Sequence, residues 1–515
     1  MNKGFRNLVF TILAIGAVFI IGAITINSIL KNKLEKFIQE RLPENMSRSY
    51  DEITVASFDG SLVVTNASLI IKNSEDNAEH TFINVEKLKI SDISYWDYLV
   101  NNEIHIDNIS LENPKIIYFK DRQRSPKDTI RKAVAQIYKP IFVDRVQIEN
   151  TRLAIYEKGK DSTKVYATGL TVEVDGIKVD NETVLRKIPF QYKDFEAKSD
   201  TVFVKVSPYE NLSVEDFEVK DNTAVFKNLK LKTKYSKKEL SKIIAHEHDH
   251  YDLSLKSLSI SDFDFGFSNN RFFASSKMVS LNTPSLEIYR DKLVADDLRP
   301  KPLYSKMLRD LPFDLTVDSL KITKASIQYE ERQKVENMGG AIYFKNLEAA
   351  ISNVGNTYKS PQKTELIISA DFMDHTPFIV DWNFDVHNSS DAFLFKAQVG
   401  ALQAEDMNSF TEPNLNVLLE GNTNKAFFTI DGNRETSTTS LKISYTDFKV
   451  TVLQKDGEKK NKFLSAVTDL FISKDSAKNG ENYREGIADA TRDQTKSVFN
   501  FLWISVKNAL VKAML

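Results

Sequence analysis

Val85-Glu86-Lys87-Leu88-Lys89-Ile90-Ser91-Asp92-Ile93 returns as Leu255-Lys256-Ser257-Leu258-Ser259-Ile260-Ser261-Asp262-Phe263, displaced by 170 residues. The same displacement carries Ser110-Leu111 onto Ser280-Leu281, Pro114 onto Pro284 and Lys120-Asp121 onto Arg290-Asp291. After four inserted residues, Val143-Asp144 reappears as Val317-Asp318 and Ile148 as Ile322. Identity is low, but apolar and polar classes stay in phase, which favours duplication of a structural unit. Within each copy the apolar residues alternate, as in Leu88/Ile90, Ile104/Ile106, Ile109/Leu111, Val146/Ile148 and Leu258/Ile260, Leu320/Ile322. Period-two alternation marks strands with one apolar and one polar face. The expected fold is therefore mainly β, a long antiparallel sheet built from repeated units, whose function lies in whatever covers its apolar face.

Composition narrows the function classes. The chain has 515 residues, 42% hydrophobic and 27% charged, which describes a folded chain with room for several domains or one long repeat. A net charge of −2, with both signs mixed along the chain, lacks the basic stripe of a nucleic-acid binder. Cysteine is absent, so neither disulfides nor thiolate metal sites arise.

Asn7–Leu30 is an uncharged run of 24 residues, followed by Lys31, Lys33, Lys36 and Arg41. As a helix it would reach about 36 Å, enough to cross a bilayer core of about 30 Å. It is too long for the apolar region of a signal peptide and lacks a cleavage pattern, so a retained single-pass anchor is expected. Basic residues on both flanks leave its orientation undecided. A short charged helix ends at Pro43. The domain reading is thus 1–42 anchor and juxtamembrane helix, 43–250 first β repeat, 251–456 second repeat with C-terminal strands, and 457–515 C-terminal amphipathic helices.

In each copy the strands are interrupted by a short helix. Ser125-Pro126-Lys127-Asp128 opens one, with Ile130, Val134 and Ile137 on one face; Leu303, Met307 and Leu308 mark its counterpart. Lys234–Ala245 reads as a helical insertion before the second copy. Near the C-terminus, Phe463–Ile472 is amphipathic, and Thr495–Leu515 sets Phe499, Leu502, Trp503, Val506 and Leu510 at helical spacing among lysines. Those five suit an interfacial membrane helix, or equally a helix capping the end of the sheet.

No constellation for catalysis appears, and no cofactor is implied. His246-Glu247-His248-Asp249-His250 could present three imidazoles on one strand face to zinc or nickel. It stands where a turn leads into the second copy, so a solvated, dispensable turn is expected. Asp144 and Asp318 recur at matching positions, which suits a turn or strand-edge role.

Four stretches resemble the AsmA-like family of bacterial envelope proteins, in particular its Bacteroidota-type members. They are the N-terminal anchor leading directly into strands; Ile104-His105-Ile106-Asp107-Asn108-Ile109-Ser110-Leu111-Glu112-Asn113-Pro114-Lys115-Ile116; Ser440-Leu441-Lys442-Ile443-Ser444-Tyr445-Thr446-Asp447-Phe448-Lys449-Val450; and Phe499-Asn500-Phe501-Leu502-Trp503. The resemblance implies an inner-membrane anchor carrying a periplasmic β-groove that conducts phospholipid toward the outer membrane, without catalysis. Leu88, Ile90, Ile104, Ile106, Ile109, Leu111, Val146, Ile148, Leu258, Ile260, Leu320 and Ile322 are the candidate groove lining, and acyl chains, the inner membrane and outer-membrane or envelope proteins the candidate partners. The same alternation would also build a closed sandwich. Two other functions stay open: an assembly factor that pairs its sheet edges with client strands, and a metal-dependent enzyme using the His tract.

Overall fold

The computed structural model describes residues 45–56, 60–73, 75–123, 137, 139–159, 162–453, 476 and 483–514. The apolar run at 7–30, the charged helix after it and the helices read at 125–137 and 463–472 lie largely or wholly outside these. Among the described residues no helix is long and apolar enough to cross a membrane. Twenty-three strands, mostly antiparallel, dominate the described chain. They fall into two compact units, one of residues 1–208 and 212–226, the other of residues 209–211 and 227–515.

In the first unit, β1 (Met46–Ser49) and β2 (Glu52–Ala56) both pair with β3 (Ser61–Lys72), which pairs with β4 (Glu79–Ile93). Then β4 pairs with β5 (Ile104–Glu112) and β6 (Lys115–Phe119), and both of these run parallel to β7 (Ile141–Tyr156). The meander resumes with β8 (Thr163–Val179) and β9 (Asp194–Lys205). The division between the units falls around β10 (Glu210–Lys220) and β11 (Thr223–Thr233).

The second unit opens with helix α1 (Lys237–Ile243), started by a capping box in which Ser236 and Glu239 bond each other's backbone amides. Strand β12 (His250–Ser261) and the short β13 (Asp264–Ser268) pair antiparallel with β14 (Arg271–Asp291), which runs parallel to β15 (Asp314–Arg332). Helix α2 (Tyr304–Arg309) lies in that crossover. Strands β16 (Gly340–Gly355), β17 (Thr364–Phe372), β18 (Thr376–Phe384) and β19 (Phe393–Val399) follow as an antiparallel meander. After β20 (Leu402–Gln403) and α3 (Asn408–Leu415), β21 (Val417–Gly432) pairs with β19 and with β22 (Thr436–Val452). Strand β23 (Arg484–Thr491) pairs with β22, and α4 (Val498–Met514) ends the described chain.

The internal repeat is visible in the register. Leu88 faces Leu111 and Leu258 faces Leu281; Ile90 faces Ile109 and Ile260 faces Val279. The parallel step is repeated as well, Leu111 with Ile148 and Leu281 with Ile322. The four residues inserted in the second copy are therefore taken up in the crossover, where parallel strands need a long connection in any case. Left-handed backbone recurs at matching places: Asp92 (φ 58°) and Asp262 (50°), Asn113 (53°) and Thr283 (52°), Asn150 (54°) and Lys324 (53°). Asp and Asn adopt this conformation readily, whereas Thr and Lys do so at a cost of about 1–2 kcal/mol. In the first copy the two Asn are also tied, Asn150 Nδ2 donating to Asn113 Oδ1 at 2.6 Å.

The exposed Lys324 thus holds a conformation that the first copy gives to Asn. Lys324→Asn should raise unfolding stability by up to about 1 kcal/mol, measurable as a higher midpoint in urea, while Asn150→Lys should lower it by a similar amount.

Candidate functional site

Rows of apolar side chains cross the strands of each unit on one face. In the first unit Leu62, Ile90, Ile109, Val146 and Val174 are successive cross-strand partners. Cross-strand neighbours on one face touch, so such a row is a continuous apolar surface. Here it is closed. Leu88, Ile90, Ile104, Ile106, Ile109 and Val146 lie in one buried cluster with Ile53, Leu62, Val64 and Val143, and Leu111 and Ile148 pack against it half-buried. Ile90 and Ile106 are fully buried. Val184, in the 3-10 turn after β8, joins the cluster, and Phe190 and Tyr192 pack against it. The eight candidate lining residues of the first copy are therefore brought together, but as a packed core. The face opens toward β9, where Val172, Val174, Phe195, Ala197, Val202 and Val204 are half-buried, and along β6 and the end of β7, where Ile116, Leu153 and Ile155 are.

The second unit carries the same rows further. Leu258, Leu281, Ile322, Ala349, Ile368, Val380, Ala397 and Phe428 are successive partners. Beside them run Ile260, Val279, Leu320, Ile351, Leu366, Trp382, Phe395 and Ile430. Covering is uneven along these rows. From β18 onward Val380, Trp382, Phe395, Ala397 and Ile430 are buried, against Leu303 at the start of α2 and against Val498, Phe501 and Leu502 of α4. The crossover helix is held there by Arg309, whose Nη2 lies 2.7 Å from the buried Asp391 carboxylate, which Ser305 also bonds at 3.0 Å. Over β12, β14 and β15 no such cover lies among the described residues: Leu258, Ile260, Val279, Leu281, Leu320 and Ile322 are all half-buried. Sequence reading named four of these six; Val279 and Leu281 share the same alternation and were legible by it.

The interfacial candidates on α4 divide. Leu502 is buried, and Val506 and Leu510 are half-buried against the sheet. Phe499 and Trp503 point to solvent, 63% and 48% exposed. The helix thus caps the sheet with one side and keeps an apolar stripe on the other.

The His tract is not a solvated turn. Glu247 is buried with its carboxylate 2.8 Å from Lys292 Nζ, and Arg290 clamps Asp249 at 2.6 and 2.7 Å. Asp249 also accepts from Tyr251, whose hydroxyl pKa is pushed well above the usual range by burial and by that carboxylate. His248 Nε2 stands 2.7 Å from the Glu210 carboxylate and His250 Nε2 is 2.9 Å from the Tyr235 carbonyl, while His246 is exposed. Two of the three imidazoles turn to separate partners, so the tract anchors the start of β12.

A different cluster emerges on the polar face of the first unit. His105, Asp107 and Asp144 bring ligand-type atoms within 4.8 Å of one another. Both His105 nitrogens already face carboxylates, Nε2 at 3.0 Å from Asp144 and Nδ1 at 3.6 Å from Asp97. Hydrogen bonds from Ser94 and Asn101 hold the Asp97 carboxyl below its ordinary range. The matching positions of the second copy are Ser275, Lys277 and Asp318, a set without the imidazole and with a cation in place of one carboxylate.

Compared with known protein families and with curated proteins, the chain matches none.

Two substitutions separate covered from uncovered face. Ile106→Asp buries an unpaired charge, costing several kcal/mol, and should abolish cooperative unfolding of the first unit. Leu320→Asp places its charge on the half-buried face and should cost roughly 1 kcal/mol, a few degrees in Tm. Thermal unfolding followed by circular dichroism checks both.

Proposed function

We propose that this protein is a membrane-anchored, non-enzymatic lipid carrier that seats acyl chains on its uncovered apolar strips and passes phospholipid across the envelope, in the manner of the AsmA-like proteins it resembles. One observation carries the reading: apolar rows that are buried under helices over β18–β21 continue, in unbroken register, onto β12, β14 and β15, where they are half-buried. A contiguous apolar strip is rarely left to water. Acyl chains suit it because contact along a flat row of Leu, Ile and Val is non-directional, and each buried CH₂ contributes about 0.8 kcal/mol. Two adjacent rows offer the same apolar contact strand after strand, so the chain could slide along them without crossing a deep minimum. The apolar run at 7–30 would tether the carrier to the inner membrane, with the β units in the periplasm.

Lipid extracted from the purified full chain and identified by mass spectrometry tests the carrier. The wild type should yield phospholipid; Leu258→Asp with Leu320→Asp should fold, by unchanged far-UV circular dichroism, and yield several-fold less. A wild type free of lipid, or a double variant that keeps its full complement, overturns the proposal, and a stoichiometric protein client would favour the assembly-factor reading instead. Alkaline phosphatase fused after Lys462 should be active if the β units are periplasmic, and an active cytoplasmic reporter at that point would contradict the topology.

A further inference from the structure

The outward side of α4 is not explained by anything the helix does for the sheet. Its inward side is fully used. Phe501, Ser505, Ala509 and Ala513 are buried, Ser505 shares a hydrogen bond with Ser437 at 2.8 Å, and a Cβ on Gly486 of β23 would collide with the Ala509 carbonyl. A helix seated this tightly is a rigid platform. On its far side Phe499, Trp503, Lys507 and Val511 follow one another at four-residue spacing, which places them on one ridge. Phe499 is 63%, Trp503 48% and Val511 50% exposed. Lys507 and Lys512 are exposed, and neither has an ion pair among the described residues. The helix contains no Asp or Glu.

We propose that this ridge docks on an anionic lipid bilayer. The occupant follows from charge and shape. Cations without a single acid on the helix complement anionic head groups, each basic residue near such a surface contributing about 1 kcal/mol. An exposed Trp beside Phe suits the boundary between head groups and acyl chains, where an amphipathic ring finds both environments. A protein partner fits less well, since a stable interface buries about 800 Å² on each side and one convex ridge with three large apolar residues supplies only a fraction of that. This contact does not depend on acyl-chain seating over β12–β15: it uses other residues on another element.

The absence of cysteine lets single labels be placed without background. In the full chain, reconstituted in phosphatidylethanolamine/phosphatidylglycerol vesicles with further vesicles of the same composition added, nitroxides go on Phe499→Cys, Trp503→Cys and Val511→Cys. A control goes on Ile487→Cys, an exposed apolar site of β23 next to Gly486 and so on the sheet face away from α4. The ratio of oxygen to nickel-chelate accessibility should rise several-fold at the three helix sites over the control, and fall toward it in phosphatidylcholine vesicles. Ratios equal to the control in every vesicle overturn the proposal, as does loss of access to both reagents with spin–spin broadening, which would mark a protein interface. Phe499→Glu with Trp503→Glu, both on solvent-facing positions, should leave Tm and copurified phospholipid unchanged while removing binding of added vesicles. Vesicle binding retained in that variant would likewise overturn it.

Discussion

An apolar sheet face tolerates water poorly, and most of this molecule can be read as the ways in which it keeps water off. In the first unit the strands and the turn after β8 close over Ile90 and Ile106 until both are fully buried. In the second, α2 and α4 lie over the rows around Trp382 and Ile430. The ion pair of Arg309 with buried Asp391 makes sense in this light, because it fixes the helix that does the covering. A carboxylate so deeply placed depends on its cation, and losing the partner would cost about 3–5 kcal/mol. Over β12, β14 and β15 the same rows stand half-buried, with no helix packed on them among the described residues.

The two copies show how one register can serve two purposes. Identical cross-strand partners, Leu88 with Leu111 and Leu258 with Leu281, sit in and against a buried core in one unit and on a half-open face in the other. The strand pattern decides which side is apolar, while the connections decide whether that side is sealed. Polar surfaces diverge more freely: His105 and Asp107 of the first copy correspond to Ser275 and Lys277 of the second, because solvent-facing positions are constrained by charge pairing alone.

Strands, their faces and the duplication were legible in the sequence because period-two alternation is a local signal that survives divergence. Leu258/Ile260 and Leu320/Ile322 were correctly placed on one face for that reason. Coverage was not legible, since it depends on contacts between distant segments: nothing local to Ile106 distinguishes it from Leu320. The His tract misled for a related reason. His246 to His250 reads as a polar turn, yet Glu247 and Asp249 find their cations at Lys292 and Arg290, more than forty residues away. On α4 the helical spacing was plain, but only packing against β23 could sort Leu502 inward and Trp503 outward.

The meander of β15 to β19 pairs each strand with its immediate successor in the chain. An architecture of this kind behaves as a ruler. Inserting or deleting one hairpin changes the width of a sheet by roughly 10 Å, two strand spacings, and leaves every other ladder intact. The apolar strip grows or shrinks by the same step, since each new strand brings its own alternating residues into the existing rows. Reach thereby becomes a property that duplication can adjust in fixed increments, without redesigning any contact already made.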